Sequence, residues 1–535
     1  MALLAHILKA PSWKLSWRTA AGKEGMASVL VPGVPRLPLM AELEETENGC
    51  RLWIEPLEPL MVASVEATIE PDMEKATALF LNGYNSWTDS CERPLDASMA
   101  GLAHTPKAAI RHWVLDASGD YRFCPQNPKS GHQHGEGYGY LRYGDETLLF
   151  GECLPDLGLT TIQEDLDAQK FRIVKEGPAR LIEPGERICV FALCLLEGTA
   201  KEAFARFVTC IGKRRRPAEP LVGFTSWYRH YGDIDEEKLV QDLAGAKAAL
   251  SRQVPEGILP VFQIDDGYTK VGDWTHPSTE RFPHGMGSMA EKIAEVGLLP
   301  GLWIAPFVCE KDSRLFHEHQ DWLLRDEAGN PVMSGSHWSG GYALDTLNPE
   351  VRSYVHEVLG LAADTWGFRL LKLDFLYAAA LLPHSGKNRG ELMADALDLL
   401  RDSVPEGTLF DLCGVPIMSA IGRTEYCRIG CDVGLDWDGA PYMRISGRER
   451  VSTKNALGNI RGRAHMDGVA FLNDPDVFFL RDDVKLSEAQ KKTLLEADAS
   501  LGSVLFTSDD MGSWSKEQKR TFEEALHAFA SRKRG

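Results

Sequence analysis

FRLLKLDFL, residues 368–376, carries two charges, Lys372 and Asp374, inside a run that is apolar from Leu370 onward. In an extended strand, side chains two apart share a face, so Lys372 and Asp374 point the same way. An aspartate that merely caps a following helix belongs in the loop after a strand. Asp374 instead precedes Phe375 and Leu376, within the apolar stretch.

Seven further runs of this kind flank it: LVGFTSWY (221–228), LPVFQIDD (259–266), LPGLWIAPF (299–307), TLFDLCG (408–414), EYCRIGCD (425–432), GVAFLNDP (468–475) and SVLFTSDD (503–510). Stretches from Asp235 to Arg252, Pro349 to Trp366, Glu391 to Ser403 and Ser515 to Ser531 read as amphipathic helices between them. Eight β/α units over some 310 residues close most economically as a (β/α)₈ TIM barrel. A doubly wound open sheet is the alternative. Before residue 200 the rhythm differs. Short β runs such as Leu52 to Ile54, Thr147 to Cys153, Lys170 to Lys175 and Ile188 to Leu196 alternate with turn signals, as in an antiparallel β-sandwich. Met73 to Leu81 reads as a short helix. The chain thus divides into an N-terminal β-sandwich (1–200), a helix and basic linker (201–220) and the barrel (221–535), with no further domain expected after the eighth helix.

The 535 residues carry a formal net charge of −19, which disfavours nucleic acid and anionic membrane surfaces as partners. Eleven cysteines, odd in number and irregularly spaced, read as reduced thiols of a cytoplasmic protein. The opening segment has no basic n-region or cleavage site, so no signal peptide is expected. No zinc spacing is present, and His132 and His134 lie in a glycine-rich loop, so neither a metal nor another cofactor is expected.

Nearly every barrel run ends in polar or aromatic side chains: Trp227 and Tyr228, Asp265 and Asp266, Trp303, Lys372 and Asp374, Cys413, Arg428 and Asp432. The C-terminal rim of a barrel is where active sites form. Arg428 and Asp432, four apart, share a face as Lys372 and Asp374 do. Two carboxylates from different strands, each with a cation on its own strand and aromatic platforms around them, suit glycoside hydrolysis. Adjacent Asp265 and Asp266 read as a clamp for sugar hydroxyls.

At these motifs the chain resembles the α-galactosidases of glycoside hydrolase family 36, in clan D. The carrying residues are GFTSWYRHY (223–231), FQIDDGY (262–268), GDW (272–274), GLWIAPF (301–307), YALD (342–345), KLDFLYA (372–378), LCG (412–414), CRIGCD (427–432) and NDPD (473–476). The resemblance implies that Asp374 is the nucleophile and Asp432 the acid/base of a retaining double displacement. It further implies substrate contacts from Lys372, Arg428, Asp265, Asp266, Trp303, Cys413 and Gly414, and from Trp87 of NGYNSW (82–87) in the N-terminal domain. Trp227, Tyr228 and Trp437 join this substrate-binding set. Phe224 stands where the family often has tryptophan, and Ser336, His337 and Trp338 where it often has arginine. The expected substrate is a terminal α-galactoside. The alternatives are an α-N-acetylgalactosaminidase, a raffinose-type transglycosylase and a sugar-binding pseudoenzyme, and homo-oligomerisation stays open.

Overall fold

A computed structural model describes residues 13–28, 38–250, 254–439 and 441–533. The opening segment 1–12 and Arg252, the expected end of one helix, lie outside the described residues.

Among the described residues, two six-stranded antiparallel sheets form the N-terminal part. Trp13–Thr19 shows how its strands are built: alternate residues Trp13, Leu15 and Trp17 turn inward, while Lys14 and Arg18 face out. Partners from both sheets, including Leu60–Ile69, Gly49–Pro56 and Ile188–Gly198, fill the space between with Val62, Val65, Leu52, Ile54 and Phe191. Trp13 meets Phe191 edge to face at 5.3 Å. The helix expected over 73–81 is not there. Ala78–Leu81 is a strand paired antiparallel with Tyr138–Tyr143, and Phe80 and Leu81 are buried by that pairing. Sheet contacts override a weak local preference here.

The helix Ala200–Ile211 leads toward the second part. Thr199 and Glu202 cap its start reciprocally, and Gly212 ends it in the left-handed conformation. From Leu221 the chain builds one parallel sheet. Its strands in sequence are Leu221–Thr225, Leu259–Ile264, Leu299–Ile304, Leu370–Leu373, Leu409–Leu412, Tyr426–Arg428, Leu472–Asp474 with Val477–Phe478, and Val504–Thr507. The seventh is split at Pro475 and Asp476. Its first half pairs with the sixth strand and its second half with the eighth. The Ser503 N–H also donates to the Asn473 carbonyl at 2.8 Å, and the eighth strand pairs with the first. The sheet therefore returns on itself as a barrel. Helices Glu236–Leu250, Pro349–Gly360, Arg389–Asp402 and Lys516–Lys533 stand where the amphipathic stretches fall, and Leu361–Thr365 continues the second as a π turn. Several elements have no forerunner in the sequence reading, among them two that border the site. A three-stranded antiparallel sheet (Val308–Glu310, Met333–Gly335, Gly341–Ala343) follows the third barrel strand, and a short helix, Lys107–Trp113, interrupts the N-terminal sheets.

Candidate active site

The carboxyl ends of the barrel strands surround a cavity of about 700 Å³, an ordinary size for a small-molecule site. Asp265, Asp266, Trp303, Lys372, Asp374, Arg428 and Asp432 all line it. So do Trp227 and Tyr228, on the one-turn helix Trp227–His230 after the first strand, and Trp87, on a loop of the N-terminal part.

Asp374 lies at the floor of the cavity, 7% exposed. The Trp303 indole N–H donates to its Oδ2 at 3.0 Å, and the Phe375 amide donates to its Oδ1 at 2.7 Å. Burial lifts its pKa above the ordinary carboxylate value, opposed by the Lys372 charge, these two donors and the Cys413 thiol. Two accepted N–H bonds and no protein cation in contact leave the carboxylate fixed in direction but not neutralised. Phe375, directly after it, holds φ at 54°. Gly414 packs against that turn. A β-carbon there would come within 3.0 Å of the Phe375 nitrogen and the Trp87 ring.

Lys372 faces the same cavity, but its ammonium pairs with Asp265, Nζ to Oδ2 at 2.9 Å, rather than with Asp374. Burial works against the ammonium charge, yet Asp265, Cys413 and Asp374 outweigh it and hold the lysine well above its usual pKa. Asp265 also accepts from Gln263 Nε2 at 3.0 Å, and its Oδ1 takes the Asp266 amide. Asp266 accepts the Trp338 indole N–H at 2.7 Å, and burial pushes its carboxyl up to about 7. The two neighbouring carboxyls therefore differ, Asp265 being ion-paired and Asp266 poised between acid and base near neutrality.

Asp432 stands opposite in kind to Asp374. Its side chain is 37% exposed, and Arg428 Nη2 donates to its Oδ1 at 2.7 Å. The same guanidinium nitrogen lies 2.9 Å from Asp476 Oδ2, and Arg428 itself is 2% exposed. That Asp476 oxygen also accepts the Tyr228 hydroxyl and the amide of Val433, the residue after Asp432. Asp476 thus fastens the acidic loop at two points, through the arginine and through the backbone. It sits at φ 88°. Val114, Trp338 and Phe375, also non-glycine residues at positive φ, line the cavity. Strained backbone of this sort persists where surrounding contacts over-determine it, and it clusters at functional sites.

Trp87 reaches the site from the N-terminal part. Its indole N–H lies 3.1 Å from Cys413 Sγ, and its ring meets Phe375 at 5.1 Å and Tyr377 at 5.7 Å. Buried Arg463 holds that loop in place by donating to the carbonyls of Gly83, Asn85 and Ser86 and, in the barrel, to that of Ile429. Cys413 and Gly414 lie behind Trp87 and Asp374 rather than on the cavity surface. Trp437 is half-buried and does not line the cavity. Sequence reasoning did not select Asp476, His337, Trp338, Phe375, Tyr377 or Glu449 as site residues. NDPD (473–476) was a visible signal for the first, and the departure at 336–338 for the next two.

Two groups of potential metal ligands occur among the described residues, Asp120–Cys124–His134 and His132–Asp165–Asp167. In the first, Arg448 stands 3.6 Å from Asp120 and 3.2 Å from His134, so a guanidinium already supplies the positive charge. No helix among the described residues is long and apolar enough to cross a membrane.

The melibiase family model matches residues 204–378. The solved α-galactosidase TtGalA from Thermus thermophilus, in complex with p-nitrophenyl α-D-galactopyranoside, superposes with a TM-score of 0.73 at 30% identity, over 91% of each chain. The chain belongs to the GH36 α-galactosidase family. The GH36 α-galactosidase AgaA from Geobacillus stearothermophilus shares the fold at a TM-score of 0.62 and 15% identity, covering 98% of this chain and 76% of its own. Among curated relatives, the α-galactosidase Mel36A of Lactobacillus acidophilus is 29% identical over 157 residues, 28% of this chain. That match spans 20% of Mel36A, and the one with AgaA spans 32% of its length. The melibiase match covers the first four barrel strands and the Lys372–Asp374 pair.

Proposed function

We propose that this protein is a retaining exo-glycosidase acting on terminal α-D-galactosides, with Asp374 as nucleophile and Asp432 as general acid/base. The observation that carries this reading is the contrast between two carboxyls on one cavity. One is buried and aimed by two N–H donors. The other is solvent-reachable and held by an arginine. A buried carboxylate fixed in direction suits attack on a carbon, and a solvent-reachable one suits proton exchange with a leaving oxygen and with water.

In the first step an Asp374 oxygen bonds to the anomeric carbon as the bond to the leaving oxygen breaks. Asp432 gives that oxygen its proton. In the second, the Asp432 carboxylate removes a proton from water, whose oxygen displaces Asp374 and frees the sugar. In this reading Lys372–Asp265 and Asp266 grip ring hydroxyls, a role supported by their place in the cavity lining beside Asp374. Trp87, Trp303 and Phe375 offer the apolar faces on which a pyranose stacks. Galactose as the sugar is supported by the Thermus relative, whose solved complexes hold p-nitrophenyl α-D-galactopyranoside and stachyose.

Release of nitrophenol from the α-galactoside, set against its N-acetylgalactosaminide and glucoside counterparts, tests the substrate. NMR of the first-formed sugar tests the stereochemistry. We expect the α-galactoside to be preferred and the α-anomer to appear first. A β-anomer appearing first excludes the double displacement. A galactosylated acceptor as main product favours a transglycosylase. Asp374→Ala removes turnover of every substrate. Asp432→Ala costs about 10²–10⁴-fold on alkyl or sugar leaving groups and much less on nitrophenyl.

A further inference from the structure

The general acid fixes the side of the cavity on which the leaving group lies, since Asp432 must touch the glycosidic oxygen. This step rests on the reading above. Two stretches of the cavity lining are tied to the loop that follows Asp432. One is the return of that loop, where the Ser452 amide donates to the Asp432 carbonyl at 3.1 Å and Val451 and Ile445 line the cavity. The other is the end of the short helix Lys107–Trp113, from which Trp113, Val114 and Leu115 line it. Thr105 Oγ1 donates to the Ile445 carbonyl at 3.2 Å, and the Arg448 amide donates to the Tyr121 hydroxyl at 2.7 Å, so the two segments form one surface.

The charged groups of this surface are turned to protein partners. Both Glu449 oxygens accept hydroxyls, from Thr88 and Tyr121, and Arg450 pairs with Asp438 at 2.8 Å. Ser118 and Ser446 add two hydroxyls. Beside these two hydroxyls the lining is apolar, from Trp113, Val114, Leu115, Ile445 and Val451. Helix Lys107–Trp113 buries none of its residues, and Trp113 is 44% exposed. Its C-cap, Val114, is a β-branched residue at φ 50°, a conformation such side chains rarely adopt. The half-exposed Trp113 indole is continuous with Val114, Leu115, Ile445 and Val451 along one stretch of the cavity lining.

We infer that Trp113, Val114, Leu115, Ile445 and Val451 form an apolar leaving-group site, selecting α-galactosides whose aglycone is an alkyl or aryl group. The test is a series of n-alkyl α-galactosides, from methyl to octyl, assayed with the native protein and with Trp113→Ser. For the native protein kcat/KM rises about two- to fourfold for each early methylene, as partial to full burial of a methylene predicts. In Trp113→Ser the octyl-to-methyl ratio falls about tenfold, the share of a half-buried indole. The variant alters an exposed side chain on a helix without buried residues, so the fold survives it.

Rates independent of chain length overturn the inference, as does an equal loss on methyl and octyl substrates. A Trp113→Ser protein that changes in size by light scattering but keeps its octyl-to-methyl ratio also overturns it, because Trp113 then serves an interface between copies. No hydrolysis of any α-galactoside, nitrophenyl included, defeats the underlying functional reading instead. Turnover of nitrophenyl and methyl galactosides without alkyl dependence defeats only the leaving-group site.

Discussion

As the proposed nucleophile, Asp374 must react in a place where burial disfavours its charge. What offsets burial is a set of oriented dipoles and one remote ammonium. The nearest replaceable member is the Trp303 indole N–H, 3.0 Å from Oδ2. Trp303→Phe keeps a ring and removes that donor, so the carboxyl moves further up from an already raised pKa. Because the nucleophile works only as the carboxylate, the acid limb of the kcat/KM profile must shift to higher pH. A charge-assisted hydrogen bond is worth about 1.5–3 kcal/mol, so a shift of about one to two pH units is expected. An acid limb that stays in place, or moves down, contradicts this account of the site. At this scale the sequence was informative about direction but not about partners. The two-residue spacing put Lys372 and Asp374 on one face, and the structure agrees. That Lys372 spends its charge on Asp265 was illegible, since the partner comes from another strand 107 residues away. Trp338 likewise reaches Asp266 only through a turn at φ 55° in the inserted sheet's loop.

Among the elements, the seventh barrel strand carries more than its share. GVAFLNDP reads as one run, but Pro475 lacks the N–H a ladder needs, and Asp476 takes a left-handed turn. The break gives the strand two neighbours and frees the Asp476 carboxyl to face Arg428, Tyr228 and the Val433 amide. In the proposed mechanism Asp476 acts on Asp432 through the shared Arg428 guanidinium and the Val433 amide, as a positioning residue. Asp476→Asn preserves shape and removes charge. We expect kcat to fall about tenfold or more on alkyl galactosides, the worth of one charge-assisted bond, and distinctly less on nitrophenyl galactoside, whose leaving oxygen needs little proton donation. An equal loss on both substrates, with an unchanged melting temperature, contradicts the positioning role. The eight barrel strands were legible because each is a short apolar run with polar punctuation. The three-residue strands of the insert and the helix Lys107–Trp113 were not, being too short for any period to register. The strand Ala78–Leu81 was misread because four residues of it carry no alternation, and only pairing with Tyr138–Tyr143 decides their state.

For the whole molecule, the site belongs to neither part alone. Trp87 crosses from the N-terminal sheets, and Arg463, buried and pushed down to about 10 by its burial, ties four carbonyls from both parts together. A sequence motif, NGYNSW, pointed to that tryptophan through family resemblance; no local pattern showed where it would land. The central claim is chemical: the sugar is carried covalently by Asp374 and no other residue. A fluorinated galactosyl fluoride, which forms the glycosyl-enzyme faster than water can clear it, allows the adduct to be located by peptide mass spectrometry. The account predicts one label, on the peptide bearing Asp374, and its absence after Asp374→Ala. A label on Asp432, or turnover of the α-galactoside with no label anywhere, would contradict it.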